Sequence, residues 1–375
     1  RNLLPNYLAI GRFRCVSKPW KSLLTQPHFI KTHLDRTKHL LKEEQSLIFV
    51  SDDDGSLYSA QLNNAHHMFD EITVFATKLN FDDHYFYPSK LSDVTSCDGL
   101  ILMNGSGKSV LVNPTTMAIK ELPVSPCTLE PNASITLYGF GYDTVNDDYK
   151  VVTVSFGEFQ PHCNEAFVNV YSVKRGTWKS VESSPYNHAV NGHQVSGVLV
   201  DGFVHWLVRK VSDKSVVIAA FGFGEEKFHE VPLPSSVDNN NFDFALDLPV
   251  ALRGCLCLIP SSLFFAIGVS NVTDVWIMKE YGVEKSWTKI KILHDYWEEF
   301  KPLYLLEEKE ELVLVKVEEE SDERLVMYNM KEGTFKDIVV RGIPFYNGTP
   351  RAVATFTESL VSPHCCEFDE DAREF

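Results

Sequence analysis

One stretch of the sequence, GSGKS at 105–109, has the residue types of a phosphate-binding loop. Such a loop needs a further glycine at the position that Leu102 occupies, and a helix must follow so that its N-terminal amides face the phosphates. The residues that follow, SVLV, instead favour a strand. We therefore interpret the stretch as a glycine-rich hairpin turn rather than a phosphate site.

Histidines and acids are the other residues that could do chemistry, and none has a productive spacing. No cysteines have the C-x-x-C spacing of a zinc site, no acids have that of a calcium loop, and no histidine is placed predictably near an acid or nucleophile. His205, beside Trp206, is predicted to be a structural partner in the β core or at its surface. The sequence thus predicts no catalytic residue, no metal site, no cofactor and no enzyme. The other positions considered are His66, His67, His162 and Cys163.

The composition predicts a strand-rich globular protein. The chain has 375 residues, of which 44% are hydrophobic and 12% aromatic, and this is enough for a sizeable core. No apolar run approaches the roughly 20 residues that a membrane span requires. The sequence begins with Arg and no signal-peptide pattern follows, so we expect a piece of a non-secreted protein located in the cytoplasm, the nucleus or both.

Charge is distributed unevenly along the chain. Residues 1–42 contain nine Lys or Arg and one acid, a net charge of +8, whereas the remainder has a net charge of −24. The basic segment suits an acidic docking partner. The acidic remainder would repel phosphates, which argues against nucleic acid as a ligand and leaves a basic protein target open. The same surplus of acids also fits a surface that only keeps the domain soluble.

From Leu47 onward the sequence consists of short runs rich in β-branched and aromatic residues, separated by turn residues, which predicts an all-β domain. A longer unit repeats within it: a V-x-V-Y/N strand, a polar turn, and an aromatic or aliphatic residue that opens another strand. These opening residues recur at spacings of 59, 50, 59 and 48 positions, close to the blade length of kelch-like propellers. They are Ile119, Trp178, Phe228, Trp287 and Phe335.

Five such units, together with an N-terminal hairpin from about Leu47 to Ala60, predict a mainly β fold, a kelch-like β-propeller of about six blades, with five or seven left open. D-G dipeptides are predicted to form tight turns within the blades. A propeller must close its ring, and the late strand from Arg351 to Leu360 is predicted to pair with the first blade. The predicted propeller spans 43–362, and a disordered acidic tail is predicted at 363–375.

The stretch from Arg12 to Leu34 has a helical pattern instead. Its apolar residues step by three, four and three positions, so they share one face of a short helical segment. A second helix is predicted from about His28 to Lys38, and prolines are predicted to begin both helical turns, one at Pro19 and one at Pro27. The apolar residues of the first segment are Phe13, Val16, Trp20 and Leu23.

This stretch, RFRCVSKPWKSLL followed by PHFIKTHL, resembles the C-terminal half of a plant F-box, the helical module that docks an F-box protein onto the Skp adaptor of a Skp-cullin-F-box ubiquitin ligase. The first helix and most of the leucine-proline segment that precede this half in the family do not appear in the sequence. The resemblance therefore implies an N-terminally incomplete F-box, a short helical remnant over residues 1–42. The adaptor contacts that it implies are Leu4, Pro5, Phe13, Val16, Trp20 and Leu23.

A second resemblance, from about Ser96 to Ile290, is to the type 1 F-box-associated domain of plant F-box proteins. It implies a kelch-like propeller that selects proteins for ubiquitination. S-locus F-box proteins, some of which capture basic ribonucleases in pollen recognition, are one subfamily that the resemblance leaves open. Its marks include Gly139-Phe140-Gly141-Tyr142-Asp143, Asp148-Tyr149-Lys150, Val204-His205-Trp206 and Ser286-Trp287.

The resemblance implies a substrate-recognition subunit whose partners are the Skp adaptor, through it a cullin, and a protein substrate that the sequence does not identify. One alternative is a propeller interaction module that lacks ligase docking. Another is a propeller enzyme such as a glycan hydrolase, for which the sequence names no acids at a central channel. The sequence predicts neither nucleic acid nor a membrane as a partner.

An acidic patch is the candidate surface for a basic substrate, because complementary charge speeds encounter and selects partners. The patch consists of Glu318, Glu319, Glu320, Asp322 and Glu323. A second cluster is predicted to share a blade edge with it. This cluster consists of Glu307, Glu308, Glu310 and Glu311.

Overall fold

Two helices and a ring of β-sheets make up the part of the chain that the structure describes. The computed structural model describes residues 17–40, 46–51, 56–62, 65–67, 71–81, 91–105, 108–126, 134–157, 166–188, 196–235, 248–259, 272–294, 299–317, 323–343 and 351–364. No helix within these ranges is long and apolar enough to cross a membrane.

The two helices lie in the segment that has the helical pattern. Helix α1 spans Lys18–Leu24 and helix α2 spans Pro27–Leu40. Pro19 falls in the first turn of α1, where its missing N–H costs no hydrogen bond, and Pro27 is the first residue of α2. The predicted positions of both prolines are confirmed, and α2 extends slightly beyond its predicted bounds.

The described strands form six sheets, which are the six blades of a propeller. This confirms the predicted fold, and the inner strands of neighbouring blades contact each other around the ring. Blade 1 consists of β1 (Ser46–Val50), β2 (Leu57–Gln61), β5 (Thr77–Lys78) and β27 (Arg351–Phe356). Blade 2 consists of β6 (Leu91–Cys97), β7 (Leu100–Gly105), β8 (Lys108–Asn113) and β9 (Ala118–Leu122). Blade 3 consists of β10 (Ser134–Asp143), β11 (Asp148–Gly157), β12 (Phe167–Ser172) and β13 (Thr177–Ser180).

The remaining blades follow in chain order. Blade 4 consists of β14 (Tyr186–Asn187), β15 (Val198–Val200), β16 (Phe203–Lys210), β17 (Val216–Gly222) and β18 (Lys227–Val231). Blade 5 consists of β19 (Leu248–Leu252), β20 (Cys255–Ile259), β21 (Val272–Met278) and β22 (Trp287–Leu293). Blade 6 consists of β23 (Glu299–Leu306), β24 (Glu311–Val317), β25 (Glu323–Asn329) and β26 (Thr334–Arg341), extended by β4 (Glu71–Phe75) and β3 (His66–His67).

Two different strand contacts close the ring. Strand β27 pairs antiparallel with β1, so the late strand completes the first blade, as predicted. Strand β4 pairs parallel with β26, the outer strand of blade 6. The N-terminal strands therefore contribute to both sides of the closing joint. Sequence reasoning anticipated only the first of these contacts.

Apolar clusters fill the spaces between neighbouring blades. Among the described residues there are six such clusters, one for each pair of adjacent blades. Burial of these faces is the main favourable term that holds the blades side by side. The cluster between blades 2 and 3 also includes Ile30 and Leu34 of α2, so the helices pack against the propeller at this joint.

The five repeat anchors all lie on the outer strands of blades 2 to 6, each opposite a residue of the third strand. This confirms the predicted repeat. The two tryptophan anchors make the same hydrogen bond: Trp178 Nε1 donates to the Pro123 carbonyl at 2.8 Å, and Trp287 Nε1 donates to the Pro232 carbonyl at 2.9 Å. Each proline follows the outer strand of the preceding blade, so each indole joins two blades.

Tight turns join the first to the second strand of several blades at one end. The D-G dipeptides Asp98-Gly99 and Asp201-Gly202 form two of them, with positive φ at all four residues, as type I′ hairpins require. Because successive strands run antiparallel, the turns between third and fourth strands lie at this same end, which we call the turn face. GSGKS lies at the opposite end, where Gly105 of β7 pairs with Lys108 of β8. Its interpretation as a hairpin is confirmed.

Candidate protein-binding surfaces

Helix α1 presents two large apolar side chains to solvent. Trp20 and Leu23 are 47% and 41% exposed, whereas the next residue, Leu24, is buried. Side chains three positions apart share a helix face, so Trp20 and Leu23 form one exposed apolar patch, which we call the α1 patch. Contiguous exposed apolar surface is a mark of protein-binding sites when it is large, and the α1 patch supplies two neighbouring side chains of such a surface. The role of both residues as adaptor contacts stays a prediction.

Helix α2 attaches this patch to the propeller. Ile30 and Leu34 pack into the cluster between blades 2 and 3, and Lys38 Nζ lies 2.6 Å from Asp98 Oδ1 in the turn of blade 2. Asp98 Oδ2 also accepts a hydrogen bond from the Tyr149 hydroxyl at 3.1 Å. Burial and the Asp98 carboxylate raise the pKa of Tyr149, so the phenol remains a donor.

Sequence reasoning missed this joint because it treated Asp98-Gly99 only as a turn. A usable signal was present in α2. Leu34 and Lys38 are four positions apart, which places an apolar and a basic side chain on one helix face.

Most of the predicted site residues lie outside the described part of the chain. These are Leu4, Pro5, Phe13, Val16, Glu318, Glu319, Glu320 and Asp322. From the acidic patch, Glu323 is described: it begins β25, pairs with Val317 at the end of β24 and is partly exposed. Of the predicted acidic tail, residues 365–375 also lie outside the described ranges. The acidic patch therefore stays a prediction.

Glu323 does not share a blade edge with the cluster at 307–311, which corrects the prediction for this residue. Residues Glu307–Lys309 form a short 3-10 turn before β24, at the turn face. Glu323 lies beyond the other end of β24, a strand of seven residues, and at about 3.4 Å per residue the two ends are roughly 20 Å apart. The prediction was wrong because consecutive antiparallel hairpins turn at opposite ends of the strand that they share.

His205 is a buried structural group, as predicted. Its Nε2 lies 2.8 Å from the Tyr281 hydroxyl and its Nδ1 lies 3.0 Å from the Val198 carbonyl. Burial lowers the pKa of His205 to about 4, so the neutral ring links blade 4 to blade 5 at neutral pH. Within the described ranges, no three His, Cys, Asp or Glu side chains come together as a metal site would need. Of the other candidates, His66 and His67 form β3, and His162 and Cys163 lie outside the description.

The sequence marks around Asp143 and Lys150 build the joint between blades 3 and 4. Lys150 Nζ lies 2.6 Å from Asp143 Oδ2 and 2.8 Å from Glu226 Oε1, and it donates to the Phe223 carbonyl at 3.0 Å. Burial opposes ionisation of both carboxyls, but hydrogen bonds from Lys150, joined by those from Asn146 and Val145 to Asp143 and from Lys179 to Glu226, together outweigh it and lower the pKa of Asp143 and Glu226. At Gly141 a Cβ would lie 2.3 Å from the Phe223 ring. These residues therefore serve packing between blades.

Comparison with known proteins agrees with this architecture. A family model described as an F-box associated beta propeller domain matches residues 19–363. The F-box protein CPR1 of Arabidopsis thaliana is 30% identical, with 89% of this chain and 81% of that protein covered. An F-box/kelch-repeat protein of the same plant is 27% identical, with 95% of this chain and 92% of that protein covered.

Among solved structures, an oligogalacturonate lyase from Vibrio parahaemolyticus matches with a TM-score of 0.38 and 8% identity, over 81% of each chain. This TM-score and identity are too low to support any conclusion about the chain. The family match is different in kind, because it spans both the propeller and nearly all of the two helices. The chain belongs to the F-box-associated β-propeller family of F-box proteins.

Proposed function

We propose that the chain is the substrate-recognition subunit of a Skp-cullin-F-box E3 ubiquitin ligase. In this proposal residues 1–42 dock onto a Skp adaptor, and through it onto a cullin, while the propeller of residues 43–362 binds the protein to be ubiquitinated. The chain itself performs no catalysis. Membership of the F-box family supports the adaptor as a partner, because F-box proteins generally act through it.

The α1 patch is the observation that carries the proposal. Two large apolar side chains stay in solvent on a helix whose neighbour, α2, is fixed to the propeller by Leu34 and Lys38. Trp20 and Leu23 keep a little under half of their surface in water, so covering the rest would add about half of the roughly 1.5–3 kcal/mol that full burial of a large apolar side chain contributes. A partner that covers them would recover this free energy, and they lie in the part of the sequence that resembles an F-box.

The position of the helices leaves the far side of the propeller for a substrate. The joint at Asp98 lies on the turn face, whereas Glu323, the one described residue of the predicted acidic patch, lies at the opposite ends of the strands. A protein bound there would not compete with an adaptor bound to α1. The net charge of −24 outside residues 1–42 suits a basic substrate, since complementary charge raises association rates and selects partners.

The experiment is co-purification of the chain with a plant Skp adaptor, followed by calorimetry. The wild-type chain should form a one-to-one complex. The double variant Trp20→Ala/Leu23→Ala should bind at least about 100-fold more weakly, because large side chains at an interface centre each contribute 2 kcal/mol or more, by rough estimate. Thermal unfolding should change little, since both side chains are exposed.

The control is Lys331→Ala/Glu332→Ala, which alters two exposed residues in a turn of blade 6, outside residues 1–42, and should leave binding intact. Full affinity in the Trp20→Ala/Leu23→Ala chain would contradict the proposal. A folded wild-type chain that forms no complex would favour the alternative function, a propeller interaction module without ligase docking.

A further inference from the structure

The C-terminal segment that follows β27 runs beneath the joint between α2 and the propeller. We call residues 357–362 the C-terminal strap. Ser359 is fully buried; its hydroxyl donates to the Asp98 carbonyl at 2.6 Å, and its N–H donates to Thr115 Oγ1 at 3.3 Å. Both acceptors belong to turns of blade 2. The strap is therefore a fixed part of the turn face.

The strap is fitted closely against the same D-G turn that receives α2. A Cβ at Gly99 would lie 2.4 Å from Ser359 Oγ and 2.5 Å from the Thr357 carbonyl, so this turn accepts only glycine at its second position. The first position, Asp98, pairs with Lys38 of α2. The Asp98-Gly99 turn thus contacts α2 through the Asp98 carboxylate and contacts the strap through its backbone.

Helix and strap also share an apolar cluster. Val361 of the strap and Leu34 of α2 are both buried in the cluster between blades 2 and 3, together with Val173. Asn113 holds this end of the strap, because its Nδ2 donates to the Ser359 carbonyl at 3.1 Å and to the Val361 carbonyl at 2.6 Å. Helix α2 and the strap therefore contribute to one and the same buried cluster.

We propose that the C-terminal strap is a latch that holds α2 on the propeller, so the helical segment takes its place only in a chain whose ring has closed. The strap follows β27 directly, and β27 closes the ring by pairing with β1. In a chain that has not yet paired β27, the cluster into which Leu34 packs therefore lacks Val361. The latch concerns the chain alone and does not depend on the proposed function.

A point variant tests the latch without truncation. Asn113 also stabilises its own turn, since its Oδ1 accepts the N–H groups of Thr115 and Thr116 at 2.8 and 3.1 Å. Serine can replace this turn function, as Ser172 does in blade 3 by accepting the Arg175 N–H at 3.0 Å, but its shorter side chain cannot donate to both strap carbonyls. Asn113→Ser therefore removes the strap contact selectively.

The measurement is amide hydrogen exchange of residues 30–38 in the free chain. Asn113→Ser should speed exchange in α2 by roughly tenfold or more, because two buried carbonyls lose their donor, while amides of β1 and β27 keep their protection. The matched control is Asn329→Ser at the equivalent turn of blade 6. Asn329 Oδ1 accepts the Lys331 and Glu332 N–H groups at 3.0 and 2.9 Å, far from the strap, so α2 should be unaffected.

A second variant removes the strap itself. A chain ending at Thr357 retains β27 and should show the same release of α2, whereas a chain ending at Pro363 should behave like the full chain. Unchanged α2 exchange in Asn113→Ser would overturn the proposal. So would an equal increase in Asn329→Ser, because both turns would then act only through general stability.

Discussion

Two joints in this protein use a lysine and an aspartate at the same distance and differ in their surroundings. Lys150 Nζ lies 2.6 Å from Asp143 between blades 3 and 4, and Lys38 Nζ lies 2.6 Å from Asp98 between α2 and blade 2. The Lys150 side chain is 7% exposed and its partner fully buried, whereas the Lys38 side chain is 50% exposed. The same pair of residue types is thus placed in two very different environments.

The difference in exposure shows which interactions stabilise each joint. A buried pair has lost its hydration, so removing one partner leaves an uncompensated charge and is strongly destabilising. In the pair at α2 the lysine is half exposed and only the Asp98 carboxylate, at 9% exposed, is nearly buried, so water and salt screen the pair in part and it contributes less. The joint between blades 3 and 4 is therefore permanent, while the joint at α2 depends on Leu34 and the strap more than on its ion pair.

Lys150→Met should give the largest effect. The substitution preserves much of the volume but leaves Asp143 and Glu226 without their shared cation, so the free energy of unfolding should fall by about 3–5 kcal/mol. Urea unfolding followed by circular dichroism measures this. Lys179→Met is the control, because Lys179 also pairs with Glu226 but its side chain is 56% exposed; its loss should stay below about 1 kcal/mol. Similar losses of unfolding free energy in both variants would contradict the expected difference between the buried and the exposed lysine.

Leu34→Ala should be next. Leu34 is buried in the cluster between blades 2 and 3, so removing its side chain should cost about 2–3 kcal/mol through lost burial and a cavity. Leu23→Ala makes the same chemical change on the exposed face of the same segment and should cost less than about 0.5 kcal/mol. Thermal unfolding of the two variants compares them directly. Equal shifts of the melting temperature would mean that the buried position of Leu34 and the exposed position of Leu23 contribute equally to stability.

Acid should weaken the joint between blades 3 and 4. His188 lies in this joint with its Nε2 2.7 Å from Ser184 Oγ, and burial lowers its pKa to about 3. Because an unfolded histidine has a pKa of about 6.5, the unfolded chain binds more protons as the pH falls below that value. Stability should therefore drop by up to about 1.4 kcal/mol per pH unit from this group.

Denaturant unfolding at pH 7, 6 and 5 checks the slope. His188→Gln should flatten it, whereas His229→Gln, at an exposed position, should leave it unchanged. An unaltered slope in His188→Gln would show that other groups govern the acid response. Asp143 and Glu226 add a further loss only below about pH 4, because there these carboxyls begin to bind protons in the unfolded chain while their lowered pKa values keep them ionised in the folded chain.

Lys38→Ala should give the smallest effect, about 0.2–1 kcal/mol, and one that shrinks at high salt. Asp98→Asn should behave alike, because asparagine tolerates the positive φ of 55° at this turn position. Hydrogen exchange of α2 at low and high salt measures both. A loss as large as that of Lys150→Met, or one independent of salt, would mean that the ion pair at α2 is effectively buried.

Much of the fold could be predicted because its signals are local. The D-G turns, the five outer-strand anchors and the closing strand are each visible within a few residues of sequence. The parallel pairing of β4 with β26 could not be predicted, since EITVF resembles any other short strand and its partner lies at the far end of the chain. Placement of the two acidic clusters failed for a related reason, because it depends on which way each strand runs.

The candidate site was predictable in part. Helical spacing identified Trp20 and Leu23, and the structure leaves both exposed. The same spacing fits Ile30 and Leu34 equally well. The sequence alone does not show which apolar helix face stays exposed and which packs against the propeller. The role of Asp98 was hidden, because a D-G turn looks the same whether or not a helix and a strap meet on it.

By itself the sequence determined a propeller repeat of about six units, the turns within the blades and two amphipathic helices, because each depends on residue type and short-range spacing. Only the tertiary structure decided which apolar face is covered, which lysine is buried and what lies beneath α2. Burial is a property of neighbours, and here Ser359 beside Asp98 and Val361 in the cluster around Leu34 come from the C-terminal strap at the other end of the chain.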